Sequence, residues 1–321
     1  MSQLRHSPLI SKDKFLILSW LNKIKKEKKR VGVEFTSEYL SIAINEMASG
    51  KIIASAALDL TETTPKAEHL PLLKNFVEQH NLKKTPCHVV LPARNYQLLL
   101  VEKPDVPDNE VRDAVKWKIR DLIQTSIDAV AVDIFALPDD ARRTGKEMVY
   151  AVVAELEPIR HIIDVVQESG LVLKVIDIEV MALRNLATIK QPERGTAVVR
   201  LRAGEADVSI FRSGNLYLSR RFQLNYGGGL LDDLPVDALA LEIQRSFDYF
   251  ERQMGQAPPT ILYLCGEGLG PEKITESLVR SLPVPIEFFD LSAQIEAQQA
   301  DEALAQICVA AIGATYRDRA A

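Results

Sequence analysis

Apolar residues between positions 31 and 58 fall in three short runs that turn-forming residues separate. The runs occupy residues 31–35, 40–44 and 51–58, and a helical pattern follows at 70–80. Short apolar runs with such boundaries are typical of strands. The pattern therefore predicts an antiparallel meander of three strands with a crossover helix.

The same plan begins again near residue 196. Strands are predicted at 196–201, 206–211 and 215–222, then a helix at 236–253 and a strand at 260–264. Two successive copies of one plan indicate a duplicated architecture. We therefore predict two domains of one design that face each other across a cleft.

An α+β unit separates the two copies. Its strands are predicted at 87–91, 96–102, 129–136 and 147–155, and its helices at 108–123 and 158–169. A strand at 171–178 and a helix at 180–188 then return to the first copy. Asp108 precedes Val111 and Val115 at helical spacing, so we expect it to cap the first helix.

These patterns give the predicted domain boundaries. The first domain takes 31–85 and 171–192, the insert 86–170, and the second domain 193–321 with a helical part at 231–259. Residues 1–30 form a separate unit, in which one helix face carries Ile17, Trp20, Leu21 and Ile24 and a lysine-rich run follows. An apolar helix face with a neighbouring basic run is typical of a helix that lies on an anionic membrane surface. A helix docked on its own domain and a solvated tail are the alternatives.

Composition narrows the class of protein. Of the 321 residues, 47% are hydrophobic and 26% are charged, as in a soluble globular protein. The net charge of −5 gives no reason to expect a nucleic-acid partner. Three scattered cysteines indicate a reducing compartment, and no metal-ligand spacing is present. No apolar run reaches the roughly 20 residues of a membrane span, so we expect a cytoplasmic protein.

The order of elements resembles the PilM family of type IV pilus assembly, which has the actin-like ATPase fold. The segments that carry the resemblance are 31–35, 107–119, 175–183, 241–250 and 261–268, and the similarity covers nearly the whole chain after residue 30. It implies an α/β, actin-like (RNase H-like) two-domain fold with a small α+β insert domain. It also implies that any nucleotide would bind between the two domains.

The first phosphate turn of this family is altered here. Relatives that bind ATP read roughly Gly-x-Asp-x-Gly-Ser/Thr-Ser, and the matching positions are Gly32, Glu34, Thr36, Ser37 and Glu38. Thr36 replaces the turn glycine, and its Cβ obstructs the approach of backbone amides to phosphate. Glu38 adds a charge of the same sign as the phosphate. An ordinary hairpin turn is the alternative.

The second phosphate turn departs further from the family. Relatives carry Asp-Ile-Gly after an apolar strand, and this chain has Arg200, Leu201 and Arg202 there. Arginine presents only donors and a fixed positive charge, so it cannot hold Mg²⁺ or orient an attacking water. It could still neutralise a phosphate through a bidentate contact. We expect no catalytic residues and no hydrolysis, and ATP binding stays open.

Other positions of this chain match those that surround the nucleotide in the family. Gly266 and Gly268 match the adenosine turn, Gly227 and Gly228 match a further glycine pair, and Glu242 and Arg245 lie on the helix that passes over adenine and ribose. The alternatives are that the glycines belong to turns that bind no ligand and that the helix charges are solvated.

The insert distinguishes PilM-type proteins from actin. In the family, the groove between the insert and the first domain receives an extended peptide from PilN, a membrane protein with a short cytoplasmic tail. An exposed strand edge with apolar pockets suits such a peptide by β-augmentation. We expect Arg94, Tyr96 and Trp117 to line the groove, with a core position as the alternative for Trp117.

The resemblance therefore implies a cytoplasmic scaffold, peripheral to the inner membrane, in the assembly platform of a type IV pilus. It would bind a PilN-like tail, it is not an enzyme, and a homo-oligomer is an open expectation. One alternative is an actin-like protein that regulates pilus assembly by ATP-dependent cleft closure. Another is the cytoplasmic half of a type II secretion component of the GspL kind.

Overall fold

The structure, a computed structural model, describes residues 27–60, 68–141, 145–190, 195–229, 233–299 and 301–317. The predicted membrane-facing positions Ile17, Trp20, Leu21 and Ile24 lie outside these ranges. The predicted N-terminal unit 1–30 ends too late, because β1 already begins at Lys29. Arg30 belongs to this strand and is buried, where its Nη1 donates to the carbonyl oxygen of Thr315 at 3.1 Å.

The first layer is a five-stranded mixed sheet, named sheet I, with the order β3-β2-β1-β4-β8. The first three strands pair antiparallel, and β1, β4 and β8 pair parallel. The predicted meander is therefore confirmed. The strands are β1 Lys29–Phe35, β2 Tyr39–Glu46, β3 Lys51–Asp59, β4 Pro86–Leu91 and β8 Val172–Ile178.

The second layer, sheet II, repeats this plan with the order β11-β10-β9-β12-β13. Its first three strands are again antiparallel, and β9, β12 and β13 are parallel. The predicted duplication is therefore confirmed at the level of sheet topology. The strands are β9 Thr196–Arg202, β10 Glu205–Arg212, β11 Asn215–Gln223, β12 Ile261–Gly266 and β13 Ile286–Phe288.

Helices pack on these sheets and between them. Helix α4 contacts strands of both sheets, and α8 packs on β1, β2, β4 and α4. Small residues of α8 allow this close packing, since every one of its residues is buried. The helices outside the insert are α1 His69–Gln79, α3 Leu156–Glu168, α4 Glu179–Lys190, α5 Val236–Arg252, α6 Glu276–Arg280, α7 Glu302–Ile307 and α8 Val309–Ala314. The predicted insert 86–170 contains β4 and α3, but β4 pairs within sheet I and α3 packs on α1 and β8.

The insert is a three-stranded antiparallel sheet, sheet III, with the order β5-β7-β6. Its elements are β5 Tyr96–Glu102, α2 Val111–Lys118, β6 Val130–Ala136 and β7 Met148–Glu155. Helix α2 packs on one face of the sheet through Val111 and Val115. It is shorter than predicted, and Asp108 does not cap it. The helix begins at Val111, so Glu110 occupies the N-cap position, and the Asp108 carboxylate pairs with the Lys103 ammonium group at 3.0 Å instead.

Polar contacts fix the insert against sheet II. The Tyr150 hydroxyl donates to the carbonyl oxygen of Tyr217 at 2.8 Å, and the Tyr217 hydroxyl donates to Asp140 at 2.9 Å. Gln256 Nε2 donates to the Asp140 carbonyl oxygen at 2.7 Å. These bonds tie the insert to the second half of the chain.

Candidate functional site

A cavity of about 260 Å³ lies where sheets I and II meet. The segments that follow β1, β4, β8, β9 and β12 surround it, so it lies at the carboxyl ends of the parallel strands. Ligands of open α/β sheets bind at this edge. This is the place at which the sequence predicts a degenerate nucleotide site.

Arg200 of β9 fills the centre of this region. Its Nη1 lies 3.3 Å from Glu34 Oε1 and 3.2 Å from Glu179 Oε2, and its Nη2 lies 3.4 Å from Glu34 Oε2. All three side chains are at most 2% exposed. The guanidinium group therefore joins β1 and the start of α4 to sheet II through buried ion pairs.

Arg202 extends this ion-pair network towards the surface. Its Nη1 lies 2.6 Å from Glu179 Oε1 and its Nε lies 3.0 Å from Glu205 Oε1. Its Nη2 pairs with Asp207, which also accepts from Arg221 Nε at 3.1 Å. Both arginines that the sequence singles out thus bind carboxylates of their own chain.

Burial and the neighbouring charges shift the pKa values of the three buried groups. Burial opposes the charge of Arg200, but Glu179 and Glu34 outweigh it and raise the pKa of the guanidinium group. Burial also opposes the charge of Glu179, yet Arg200 and Arg202 lower the pKa of that carboxyl group. For Glu34, burial prevails and raises the pKa. An anion that binds Arg200 would have to displace Glu34 or Glu179.

The first predicted phosphate turn uses its amides internally. Thr36 Oγ1 accepts from the Tyr39 amide at 2.8 Å and from the Glu38 amide at 3.2 Å. The same hydroxyl donates to the Tyr39 carbonyl oxygen at 3.0 Å. The Ser37 hydroxyl accepts from Arg94 Nη2. This geometry favours the hairpin-turn interpretation.

The glycines of the adenosine turn pack against backbone. A Cβ at Gly266 would lie 2.1 Å from the Leu201 carbonyl oxygen, and one at Gly268 would lie 2.2 Å from that of Gly228. Gly228 and Gly268 both have positive φ, at 82° and 63°. Close approach between the turns after β9, β11 and β12 therefore accounts for these glycines without a ligand.

The remaining predicted nucleotide positions lie outside the cavity lining. Gly227 is exposed in the segment after β11. Glu242 of α5 lies 3.4 Å from Arg220 Nη2 and 2.5 Å from Arg245 Nη1. Glu242 and Arg245 therefore form ion pairs on the side of α5 that meets β11.

The cavity is acidic. Its lining contains five carboxylates and three guanidinium groups, from Glu34, Glu38, Glu179, Glu205, Glu267, Arg94, Arg200 and Arg202. Burial, helped by the nearby Glu38 charge, raises the pKa of Glu267 to about 6. Near neutral pH the ionised Glu267 adds to the negative charge that a polyphosphate would meet.

A second cavity, of about 380 Å³, lies between β6 of the insert and β8 of sheet I. We call it the insert groove. Most of its lining is apolar, with Ile134 and Phe135 from β6, Ile176 and Ile178 from β8, and Met181 from α4. Charged groups also line it, namely Asp133, Asp177, Arg184 and Arg317.

Among the described strands, β6 pairs only with β7, so it presents a free backbone edge to the insert groove. The amide of Leu137 donates to the Met148 carbonyl oxygen, so odd-numbered residues of β6 direct their backbone groups towards β7. Val132 and Ile134 therefore direct theirs away from the sheet. The Ile134 amide donates to the Asp133 carboxylate at 2.9 Å, and the Ile178 amide of β8 donates to Asp177 at 3.0 Å. Side chains, rather than another strand, thus satisfy these two amides.

The residues predicted to line a partner groove, Arg94, Tyr96 and Trp117, do not line the insert groove. Arg94 and Tyr96 line a cavity of about 190 Å³ at the end of sheet III where β5 and β6 begin. Trp117 projects from α2 and is 65% exposed, so it is not a core residue. The groove residues Phe135, Ile178 and Arg317 are far apart in sequence and form no motif, so sequence reasoning missed them.

Other chemistry is limited in the part of the chain that the structure describes. No group of three or more His, Cys, Asp or Glu side chains there could hold a metal ion. Burial raises the pKa of Cys265 and of Cys308 to about 12, so both are neutral thiols. Among the same residues, no helix has both the length and the apolar character needed to cross a bilayer.

The fold is that of actin-like ATPases. A chain of the PilM–PilN type IV pilus biogenesis complex matches with a TM-score of 0.69 and 18% identity, over 91% of this chain and 98% of that chain. A protein of unknown function from Bacteroides thetaiotaomicron, with an actin-like ATPase fold, matches at 0.51 and 11% identity, over 86% and 95%. The predicted fold class is therefore confirmed.

Within this fold, the chain is similar to structures from pilus and secretion systems. Besides the pilus complex, the cytoplasmic domain of EpsL matches with a TM-score of 0.52 and 14% identity, over 89% of this chain and 94% of that one. EpsL is an inner-membrane component of the type II secretion system of Vibrio cholerae. No protein-family model matches the chain, and no curated protein does.

Proposed function

We propose that this chain is a cytoplasmic scaffold of the inner-membrane assembly platform of a type IV pilus. It binds the cytoplasmic tail of a PilN-like membrane protein in the insert groove. The pilus is of the mannose-sensitive haemagglutinin (MSHA) type, and the chain corresponds to the biogenesis protein MshI. The likeness to the PilM–PilN complex and to EpsL supports an assembly role. The insert groove beside the free edge of β6 is the observation that carries the proposal.

The groove suits an extended peptide. An added strand would bond to the outward backbone groups of Val132 and Ile134, which gives affinity without dependence on sequence. Its side chains on one side would enter the apolar lining between β6 and β8. To bond with the Ile134 amide, the peptide must displace the Asp133 carboxylate, which lies on an exposed residue and can rotate away.

Filling the insert groove is expected to weaken tail binding. Ala131 lines the groove and is half-buried, so an Ala131→Arg substitution places a long cation where the peptide would lie. We expect the affinity for a synthetic N-terminal peptide of a PilN-like protein to fall more than about tenfold, since loss of 1.4 kcal/mol suffices. Isothermal titration calorimetry measures the change.

Ala129→Arg is the matched control. Ala129 is exposed just before β6 and does not line the insert groove. This variant should bind the peptide as the parent does. Equal losses in both variants, or no loss in either, would contradict the groove as the binding site.

The cavity between sheets I and II belongs to the proposal as a degenerate nucleotide site. Its arginines pair with Glu34, Glu179 and Asp207, the amides of its first turn bond to Thr36, and its lining is acidic. These residues do not fit a magnesium-bound triphosphate. We infer that the scaffold works without hydrolysis, and ATP-dependent cleft closure is the competing function.

Thermal unfolding with Mg-ATP separates the two functions. A ligand at 100 times its Kd stabilises a protein by about 2.7 kcal/mol. We expect no change in Tm at millimolar Mg-ATP relative to magnesium chloride at equal ionic strength, and no phosphate release. A clear rise in Tm with Mg-ATP would favour the regulatory ATP-binding protein instead.

Two further contacts are part of the proposal. The N-terminal segment with Ile17, Trp20, Leu21 and Ile24 would touch the anionic membrane surface or a partner helix, which keeps the chain peripheral to the inner membrane. Several copies could join in one platform as a homo-oligomer.

A further inference from the structure

The outer surface of the insert carries exposed apolar side chains. Trp117 is 65% exposed and Leu122 is 59% exposed, the two highest values among large apolar residues of the described ranges. Both lie on one short segment, in α2 and in the helical turn Arg120–Leu122 that follows. We call residues 111–122 the α2 surface.

This exposure follows from how α2 packs. Val111, Val115 and Ile119 repeat every four residues and face sheet III, where all three are buried. Trp117 lies two residues from Val115, which places it about 200° around the helix and away from the sheet. Nothing in the described chain covers Trp117, although a tryptophan is normally largely buried.

The segment that carries the two apolar side chains is basic, and one of its cations, Lys118, donates to the Glu102 carbonyl oxygen of β5 at 3.0 Å. The segment contains Arg112, Lys116, Lys118 and Arg120 against Asp113 and Asp121, in a chain whose net charge is −5. The ion pairs within it are exposed, with 3.3 Å between Arg120 and Asp121 and 3.9 Å between Arg112 and Asp113. Exposed pairs of this kind are weak, so the arginines remain able to bind other anions.

We propose that the α2 surface rests on the headgroups of an anionic lipid bilayer. An indole ring prefers the membrane interface, where its N–H stays wet while its ring meets the acyl boundary. Lysine and arginine extend their apolar stems along such a surface and place their charges at lipid phosphates. The proposal adds a membrane contact on the folded insert to the proposed function, and it does not depend on tail binding.

The small area favours a membrane over a protein partner or a second copy. Trp117 and Leu122 are the only exposed large apolar side chains among the described residues 111–122, whereas a stable protein interface needs about 800 Å² on each side. Shallow insertion into a headgroup layer requires only a few apolar side chains beside cations. The α2 surface offers that combination.

Tryptophan fluorescence tests the proposal at one residue. The chain has only two tryptophans, so Trp20→Phe in the full chain leaves Trp117 as the single reporter. We expect its emission to shift to shorter wavelength with vesicles that contain phosphatidylglycerol and to stay unchanged with phosphatidylcholine alone. Binding carried by the N-terminal segment alone would sediment the protein without this shift.

Charge variants in the Trp20→Phe background test the role of the cations. Lys116→Glu with Arg120→Glu should weaken vesicle affinity more than about tenfold, and Asp113→Asn with Asp121→Asn should strengthen it. Arg252→Glu with Arg280→Glu makes the same charge change on exposed arginines of α5 and α6 and should have no effect on the shift.

Three results would overturn the proposal. The emission of Trp117 stays unchanged while the protein binds vesicles, the shift is equal with neutral vesicles, or the shift appears on raising protein concentration without lipid. The last result would assign the α2 surface to self-association. Peptide titration of the insert groove is independent of all three, so the proposed function can fail or stand separately.

Discussion

Replacing Arg200 with alanine is expected to lower the free energy of unfolding by about 3–5 kcal/mol, the range found when one partner of a buried ion pair is removed. The substitution leaves Glu34 and Glu179 buried, with Arg202 as the remaining cation that pairs with Glu179. Among the described residues, Glu34 would have no cation within the ion-pair distance. Chemical denaturation of the parent and the variant measures the difference.

The control for this prediction is Arg280→Ala. Arg280 pairs with Glu276 at 2.7 Å, but these side chains are 79% and 85% exposed. Such a pair contributes less than about 1 kcal/mol. A double variant, Arg200→Met with Glu34→Gln, should regain part of the lost stability because it removes the unpaired charge. If Arg200→Ala costs no more than Arg280→Ala, the network does not hold the two sheets together.

The sequence predicts the sheets well because their signal is local. The alternation of apolar runs and turns locates β1–β3 and β9–β11 within a few residues, and their repetition gives the duplicated topology. The C-terminal elements lack such a signal. Strand β13 has only three residues, and α8 is apolar on all sides, so it shows no helical periodicity.

The candidate sites depend on long-range contacts that the sequence does not display. The sequence marks Arg200 as a departure from the phosphate turn, but Glu34 is 166 positions away and Glu179 lies on a different element. An isolated guanidinium group there suggests a phosphate contact. Its two buried carboxylate partners convert it into a structural ion pair.

Glycines at the candidate site can likewise be interpreted in two ways, as parts of nucleotide-binding turns or as positions of close backbone packing. Gly32 and Gly266 match turns that bind nucleotide in relatives, yet in this chain each is close to another backbone segment. A Cβ at Gly32 would lie 1.9 Å from the carbonyl oxygen of Ala311 in α8. The glycine is therefore required by the packing of α8 on β1, whether or not a nucleotide binds.

Gly32→Ala is accordingly expected to destabilise the fold by about 3 kcal/mol or more, the upper range for overpacking a dense core. The methyl group meets backbone atoms, which cannot rotate away as a side chain would. The loss should be the same with and without Mg-ATP, because no ligand contact is removed. Thermal and denaturant unfolding in both conditions measure it.

Gly195→Ala provides the comparison within the same chain. Neither glycine has a positive φ, so neither substitution strains the backbone dihedral angle. The nearest atom to a Cβ at Gly195 is Cα of Pro259, at 3.4 Å, an ordinary contact distance. This variant should keep the stability of the parent to within about 0.5 kcal/mol. Equal stability of the two variants would show that α8 can move away from β1 at little cost, and the packing argument for Gly32 would then be wrong.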